Sequence, residues 1–210
     1  MIPAPDALER LRAGNRRFVA GVRGIDSLAS QARRDEVVAA QQPFAVILGC
    51  SDSRVPVEMV FDQGLGDLFV IRVAGNVVAS SQVGSVEFAA EQCGSRLVVV
   101  LGHTRCGAVQ ATLDELRRPT ESQSRNLRSI VDRIRPAVEE LLTGEHARDP
   151  ADLARHAVRA NVRVAASQLR HGSDILERLI QSGALLVVGA EYALETGVVD
   201  FFDGVPARVP

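Results

Sequence analysis

The sequence predicts a single-domain α/β protein with a central, mostly parallel β-sheet of four to five strands, flanked by helices, and an N-terminal helical arm. Three observations support this prediction. Short, almost continuously apolar runs alternate with segments of helical periodicity, which is typical of strands covered on both faces. The length of 210 residues suits one compact domain, and 46% hydrophobic with 24% charged residues is a globular composition.

The arm, residues 1–42, is predicted to contain two helices. The first is amphipathic, with Asp6 as its N-cap and Gly21 as its stop. The second spans about residues 27–42 and ends before Pro43, because the residue before a proline is disfavoured in helical conformation.

The rest of the chain divides into three regions of the same domain. Residues 43–118 are predicted to form the core of the sheet, 119–182 a mostly helical region, and 183–210 the C-terminal strands. A helix is predicted over 80–93 from its apolar spacing. The predicted strands are 44–49, 67–73, 96–102, 184–189 and a short edge strand at 198–202.

Charge and composition exclude several classes of partner. The net charge is -2, aromatic residues make up 4% of the chain and Trp is absent. Neither nucleic acid nor an anionic membrane is therefore expected as a partner. The N-terminus has no apolar signal region, and no run approaches the ~20 apolar residues of a membrane span. Three cysteines are too few for a disulfide framework, which favours a cytoplasmic protein.

Two predicted strands end in reactive residues. "ILG" is followed by "CSDSR", which begins at Cys50, and "VLG" by "HTRCGA", which contains His103 and Cys106. In an open α/β sheet, functional residues gather beyond the carboxyl ends of the strands. If the two strands are neighbours, these three side chains meet, and we expect Gly102 to let the backbone turn sharply there.

Two thiols and an imidazole at one point favour a metal ion over ordinary buried thiols. A Cys₂His set is typical of zinc, and it leaves the fourth tetrahedral position open, as in catalytic sites. Asp52 and Arg54 stand two residues apart in the same stretch. We interpret them as a bidentate ion pair beside the metal; in isolation they would be a capping Asp and a surface Arg.

"CSDSRV", followed about fifty residues later by "GHTRCGAV", resembles the β-class carbonic anhydrases. The resemblance covers Gln41 to Ala111, through "FDQGLGDLFVIRVAGNVV" and "GSVEFA", and returns at "LLVVGAEYALETGVV". It implies zinc-dependent reversible hydration of CO₂ to bicarbonate and a proton by zinc-bound hydroxide, with one Zn²⁺ per subunit in a homodimer or homotetramer. By that resemblance the metal ligands are Cys50, His103 and Cys106, the catalytic dyad is Asp52 and Arg54, and the substrate-binding residues are Gln41, Phe69, Ala74, Phe88 and Gly107.

Two other functions stay open from the residues. The same site could hydrolyse CS₂ or COS, and a zinc-stabilised binding module is also possible. A cysteine-dependent phosphatase requires Cys-x₅-Arg and a thioredoxin-like protein Cys-x-x-Cys, and neither spacing is present. Cys93 is predicted to be a small buried residue, and His146, His156 and His171 solvated surface residues.

Overall fold

The computed structural model describes residues 2–22, 30–119 and 124–207. Five strands form one sheet in the order β2-β1-β3-β4-β5. The first four strands in that order are parallel to one another, and β5 is antiparallel to β4. The strands are β1 (Ala45–Gly49), β2 (Leu68–Arg72), β3 (Leu97–His103), β4 (Leu186–Tyr192) and β5 (Val199–Asp203). The predicted α/β fold is confirmed; β4 continues three residues beyond the predicted run.

Helices precede, separate and flank the strands. In chain order they are α1 (Ala4–Val19), α2 (Gln31–Val37), α3 (Val57–Val60), α4 (Ser80–Glu91), α5 (Gly107–Arg117), α6 (Arg125–Val138), α7 (Pro150–His171) and α8 (Asp174–Gln181), with short 3₁₀ turns at Ala74–Asn76, Glu140–Leu142 and Glu145–Arg148. Within the described ranges, no helix combines the length and apolar composition of a membrane span.

The two helices of the arm differ from the prediction in their bounds. α1 begins one turn earlier, with Pro3 at the N-cap and Pro5 in the first turn, where proline is favoured because its φ is helical and its missing N–H needs no partner. Asp6 therefore lies in the first turn rather than at the cap. α2 is shorter than predicted and is capped by Ser30, whose hydroxyl accepts from the Arg33 N–H. Residues 27–29 of the predicted helix lie outside the described residues.

The arm is docked on the core by polar contacts as well as apolar ones. The buried Asn15 side chain of α1 donates to the Val60 carbonyl oxygen at 3.1 Å and to the Gly197 carbonyl oxygen at 2.8 Å. Its own oxygen accepts from the Val199 N–H at 2.9 Å. One side chain thus joins α1 to α3 and to the start of β5.

The sheet has an apolar layer on each face. Ile47, Val99 and Leu101 face α1 and α3, while Leu48 and Val100 belong to the opposite cluster with α4, α7 and α8. β1 and β3 are buried along their whole length, as expected of central parallel strands. A third apolar cluster, built from α5, α6 and α7, covers the carboxyl ends of these two strands.

Gly102 is required for a different reason from the one we predicted. It lies inside β3, and a Cβ there would come within 2.6 Å of a Val162 methyl group on α7. The glycine therefore allows α7 to pack closely on the sheet, rather than a sharp turn.

Candidate metal centre

Three elements bring the two cysteines and the histidine together. Cys50 follows β1, His103 is the last residue of β3, and Cys106 is the N-cap of α5. Since β1 and β3 are adjacent and parallel, their carboxyl ends open at the same edge. The two sulfurs and one imidazole nitrogen lie within 4.8 Å of one another, and all three residues are buried. We call these residues the Cys–His–Cys site.

The imidazole of His103 is arranged as a ligand. Its Nδ1 lies 2.9 Å from the Thr104 carbonyl oxygen, a contact that requires Nδ1 to carry the proton. Its Nε2 is buried and has no hydrogen-bond partner among the described residues. A buried polar atom without a partner is costly, and a lone pair beside two sulfurs is what a soft cation requires.

The two thiols are hydrogen-bonded to each other, which changes their pKa values in opposite directions. The hydrogen bond from the Cys106 thiol lowers the pKa of Cys50, although burial opposes this change. The same contact raises the pKa of the Cys106 thiol. The opposite pKa shifts make Cys50 the more readily ionised of the two thiols, and binding of a divalent cation would displace the thiol protons that remain.

Gly75 stabilises the Cys50 thiolate through its backbone. Its N–H donates to the Cys50 sulfur at 3.3 Å, and its carbonyl oxygen accepts from the Asn161 side chain at 2.8 Å. The residue has a φ of +69°, a region in which a Cβ is unfavourable. The turn at Ala74–Asn76 is thus held in the shape that presents an N–H to the sulfur.

Asp52 and Arg54 form the predicted fork geometry. Arg54 Nε donates to Asp52 Oδ1 at 2.9 Å, and Nη2 donates to Oδ2 at 2.8 Å. These hydrogen bonds hold the pKa of Asp52 well below its usual range. Asp52 Oδ2 also lies 3.8 Å from His103 Nε2, so an ionised carboxylate borders the Cys–His–Cys site.

Sequence reasoning missed two residues that position the site. Arg72, the last residue of β2, donates from Nε to the Cys50 carbonyl oxygen at 3.1 Å and from Nη2 to the Asp52 carbonyl oxygen at 2.7 Å. Glu195 accepts from the Thr104 hydroxyl at 2.9 Å and pairs with Arg105 at 2.7 Å. The position of a cation at the carboxyl end of the strand beside "CSDSR" was a usable signal for Arg72. The two partners of Glu195, in contrast, are Thr104 and Arg105, which lie far from it in the chain.

Two of the predicted substrate-binding residues border the site. Ala74 directly precedes the Gly75 that contacts the Cys50 sulfur, and Gly107 directly follows Cys106. Both are small, so space beside the ligands is retained.

The other three predicted substrate-binding residues lie further away. Phe69 on β2 and the half-exposed Phe88 on α4 pack against each other, with ring centroids 6.2 Å apart. Gln41 lines a cavity of about 650 Å³ together with Phe44 and Cys93, at the end of β1 opposite to Cys50. Cys93 is only partly buried there.

The fold and the site together define a class of α/β metalloenzymes with a Cys₂His set at the carboxyl edge of a parallel sheet. The chain belongs to the carbonic anhydrase family, in its β class, because residues 45–199 match the family model for carbonic anhydrase. Members of this family are lyases that hydrate CO₂.

Relatives and solved structures agree with this assignment. The chain is 40% identical over 191 residues to carbonic anhydrase 2 of Mycobacterium tuberculosis, covering 91% of this chain and 89% of the relative. The fold is similar to the β-carbonic anhydrase CafA of Aspergillus fumigatus, with a TM-score of 0.74 and 24% identity over 93% of this chain and 90% of that one. It is also similar to tetrameric β-carbonic anhydrases of Sordaria macrospora, with a TM-score of 0.71 and 20% identity over 80% and 84% of the two chains.

Proposed function

We propose that this chain catalyses the zinc-dependent, reversible hydration of CO₂ to bicarbonate and a proton, with one Zn²⁺ per subunit. The observation that carries the proposal is the buried Nε2 of His103, which has no hydrogen-bond partner in the described part of the chain and belongs to a residue whose ligand atom lies within 4.8 Å of two cysteine sulfurs. Two sulfurs and one imidazole are a zinc set that leaves one coordination position for a small molecule. Cys50, His103 and Cys106 would hold the ion.

A zinc ion supplies Lewis acidity, which lowers the pKa of water to about 7 and so provides hydroxide near neutrality. The chain supplies the orientation. Asp52, kept ionised by Arg54, presents a carboxylate oxygen that can accept a hydrogen bond from a water molecule entering the site. A water whose proton is held in this way directs a lone pair towards a substrate carbon.

We further propose that Phe69, Ala74, Phe88, Gly107 and Gln41 form the CO₂ pocket of an assembled homodimer or homotetramer. Gln41 lies beyond the amino end of β1, and one five-residue strand spans roughly 16 Å, so it cannot reach the Cys50 of its own chain. A second copy can supply it. The tetrameric relatives of Sordaria macrospora support such an assembly.

We also propose that the protein works in the cytoplasm. Cys50, Cys93 and Cys106 are all free thiols, and two of them serve as metal ligands in this proposal. A reducing compartment keeps thiols in that state.

The test is stopped-flow CO₂ hydration by zinc-loaded protein and by an Arg54→Ala variant. Loss of the fork leaves Asp52 unheld, so we expect kcat/KM to fall roughly 100-fold, in the range that positioned proton-handling groups contribute. Zinc content is expected to stay at one per chain, because Arg54 is not a ligand. Arg178→Ala, on the surface of α8, is the control and should keep full activity.

Full activity in the Arg54→Ala variant would refute the role of the dyad. A wild-type protein that binds one zinc but does not hydrate CO₂ would refute the proposed reaction. CS₂ and COS would then be assayed with the same protein.

A further inference from the structure

A second group of metal-binding side chains lies outside the Cys–His–Cys site. His146 belongs to the 3₁₀ turn Glu145–Arg148, Asp152 to the first turn of α7, and His156 to the next turn. One ligand atom from each lies within 4.8 Å of the other two. We call these three residues the His–Asp–His cluster; it shares no residue with the first site.

The contacts within the cluster are short. His146 Nδ1 lies 2.7 Å from Asp152 Oδ2, and His156 Nδ1 lies 3.3 Å from Asp152 Oδ1. The two imidazole rings are stacked, with centroids 3.6 Å apart and planes inclined by 19°. Sequence reasoning treated both histidines as separate surface residues, whereas the structure places them against one carboxylate.

Backbone contacts fix the two elements that carry the cluster. Asp152 and His156 are four residues apart on α7 and therefore share a face, and His156 Nδ1 lies 2.9 Å from the Asp152 carbonyl oxygen. Asp149 caps α7 by accepting from the Ala151 N–H, which fixes the junction between the 3₁₀ turn and the helix. The cluster is about one-third exposed, with side-chain exposures of 28 to 35%, so an ion can enter from solvent.

We propose that the His–Asp–His cluster binds a divalent transition-metal ion through one ring nitrogen of each histidine and a carboxylate oxygen of Asp152. Two imidazoles and a carboxylate are suitable ligands for zinc, nickel or cobalt and a poor set for Mg²⁺ or Ca²⁺. The Glu145 carboxylate, 3.9 Å from His146 Nε2 and well exposed, is available as a further ligand.

The charge of the cluster favours a bound cation once the proton between His146 and Asp152 has been released. The hydrogen bond from His146 lowers the pKa of Asp152, so the carboxylate is ionised. Arg155 Nη2 donates to Asp152 Oδ1 at 2.7 Å, which leaves Oδ2 for the metal. The ion takes the place of the proton between His146 Nδ1 and Oδ2, and that proton passes to solvent.

The stacked rings must turn to complete the site. Nitrogen lone pairs lie in the ring planes, so two parallel rings cannot direct both of them at one ion. Rotation about χ2 of histidine has a broad energy minimum, and both rings are partly exposed. Binding would then fix the 3₁₀ turn to α7 through one ion.

The experiment is calorimetric titration of Ni²⁺ into protein whose Cys–His–Cys site has been loaded with zinc, at about pH 7.5. We expect the wild type to bind one Ni²⁺ per chain, and His146→Ala and His156→Ala to weaken this binding at least about tenfold. His171→Ala removes a third histidine, at the end of α7 and outside the cluster, and should bind Ni²⁺ as the wild type does. Arg155→Gln should bind more tightly, because it frees the second Asp152 oxygen.

Two controls keep the result interpretable. Zinc content is measured before and after titration, and the near-ultraviolet absorption of nickel–thiolate bonds would reveal any exchange at Cys50 or Cys106. The proposal is overturned if the wild type binds no Ni²⁺ beyond exchanged zinc, or if both histidine variants keep wild-type affinity. This test is independent of CO₂ hydration, so its failure and that of the proposed function are distinguishable.

Discussion

The Cys50 sulfur accepts a hydrogen bond from the Gly75 N–H, and this contact depends on a residue that has no side chain. At φ +69°, a Cβ at position 75 would lie 2.8 Å from Ile134 Cδ1 and 3.0 Å from the Ala108 methyl group. The backbone conformation therefore disfavours other residues at position 75, and a Cβ there would also require the Ile134 side chain to shift. The same turn stabilises negative charge on Cys50, the proposed metal ligand.

A Gly75→Ala variant tests this dependence. A non-glycine residue in the left-handed region costs roughly 1–2 kcal/mol, and the close contacts add to that cost. We expect a loss of roughly 2–3 kcal/mol in the free energy of unfolding, measured by urea denaturation, together with weaker zinc binding in a chelator competition. If the turn shifted to relieve these close contacts, the N–H of residue 75 would move away from the Cys50 sulfur.

Gly84→Ala is the matched control. Gly84 lies within α4, and a Cβ there would meet no atom within 4 Å, so this change should leave stability unchanged or raise it by about 0.5–1 kcal/mol. A Gly75→Ala protein with wild-type stability and zinc affinity would contradict the role given to the turn.

The sequence was informative about this site where its chemistry is local. The Asp52–Arg54 fork joins residues two positions apart, and Cys50 and His103 each stand at the end of a recognisable apolar run. The support from Arg72, Gly75 and Glu195 depends on contacts between elements 20 to 91 residues apart in the chain. Local spacing carries no information about such contacts.

At the scale of elements, β4 and β5 place two acidic residues opposite each other. Glu191 and Asp200 are register partners, and Arg159 of α7 bridges them, with Nη1 3.2 Å from Glu191 and Nη2 2.7 Å from Asp200. Glu191 is buried, and its Oε1 has no hydrogen-bond partner among the described residues. Burial, only partly offset by Arg159, raises the pKa of Glu191.

This raised pKa makes the stability pH-dependent in a defined direction. A carboxyl group with a higher pKa in the folded than in the unfolded state stabilises the fold at low pH, and loses that contribution as pH rises through the folded pKa. Glu191→Gln keeps a hydrogen-bonding oxygen for Arg159 but carries no charge. Relative to wild type, we expect the variant to gain free energy of unfolding as the pH rises above about 4.3, the ordinary pKa of glutamate, and through the raised pKa of Glu191.

Urea denaturation of both proteins across this range measures the difference. Glu139→Gln removes an exposed carboxylate and is the control for a change in surface charge. A difference between Glu191→Gln and wild type that is constant with pH, or that falls as pH rises, would show that Glu191 is ionised in the fold without cost.

The bounds of helices and strands could be predicted from the sequence only where one local sequence signal was stronger than the others. The central strands β1 and β3 were predictable because burial on both faces leaves few polar residues in their sequence pattern. The predicted start of α1 was wrong because Pro5 suits the first turn of a helix, which places the N-cap at Pro3 rather than at Asp6. The predicted role of Gly102 in a sharp turn was also wrong. The glycine is needed for close packing of α7 on β3, and the sequence around a glycine does not show which helix will pack against it.

At the scale of the whole molecule, the β2 edge of the sheet is incompletely covered. Leu68, Phe69 and Val70 are only partly buried on this edge strand, and Phe88 beside them is 50% exposed. An apolar edge strand without lysine or proline protection favours pairing with another chain. A second copy of this protein is the occupant expected in the proposed assembly.

Sedimentation velocity tests this expectation directly. The wild type should have at least twice the chain mass of 22.5 kDa, whereas Phe88→Asp places a charge in the contact and should sediment at about the mass of one chain. Leu127→Asp alters a similarly exposed apolar residue on α6 and should keep the wild-type mass. A monomeric wild type would refute the assembly. If the Phe88→Asp protein still associates, the interface does not lie at the β2 edge. A partner at that edge could then not supply Gln41 to the CO₂ pocket.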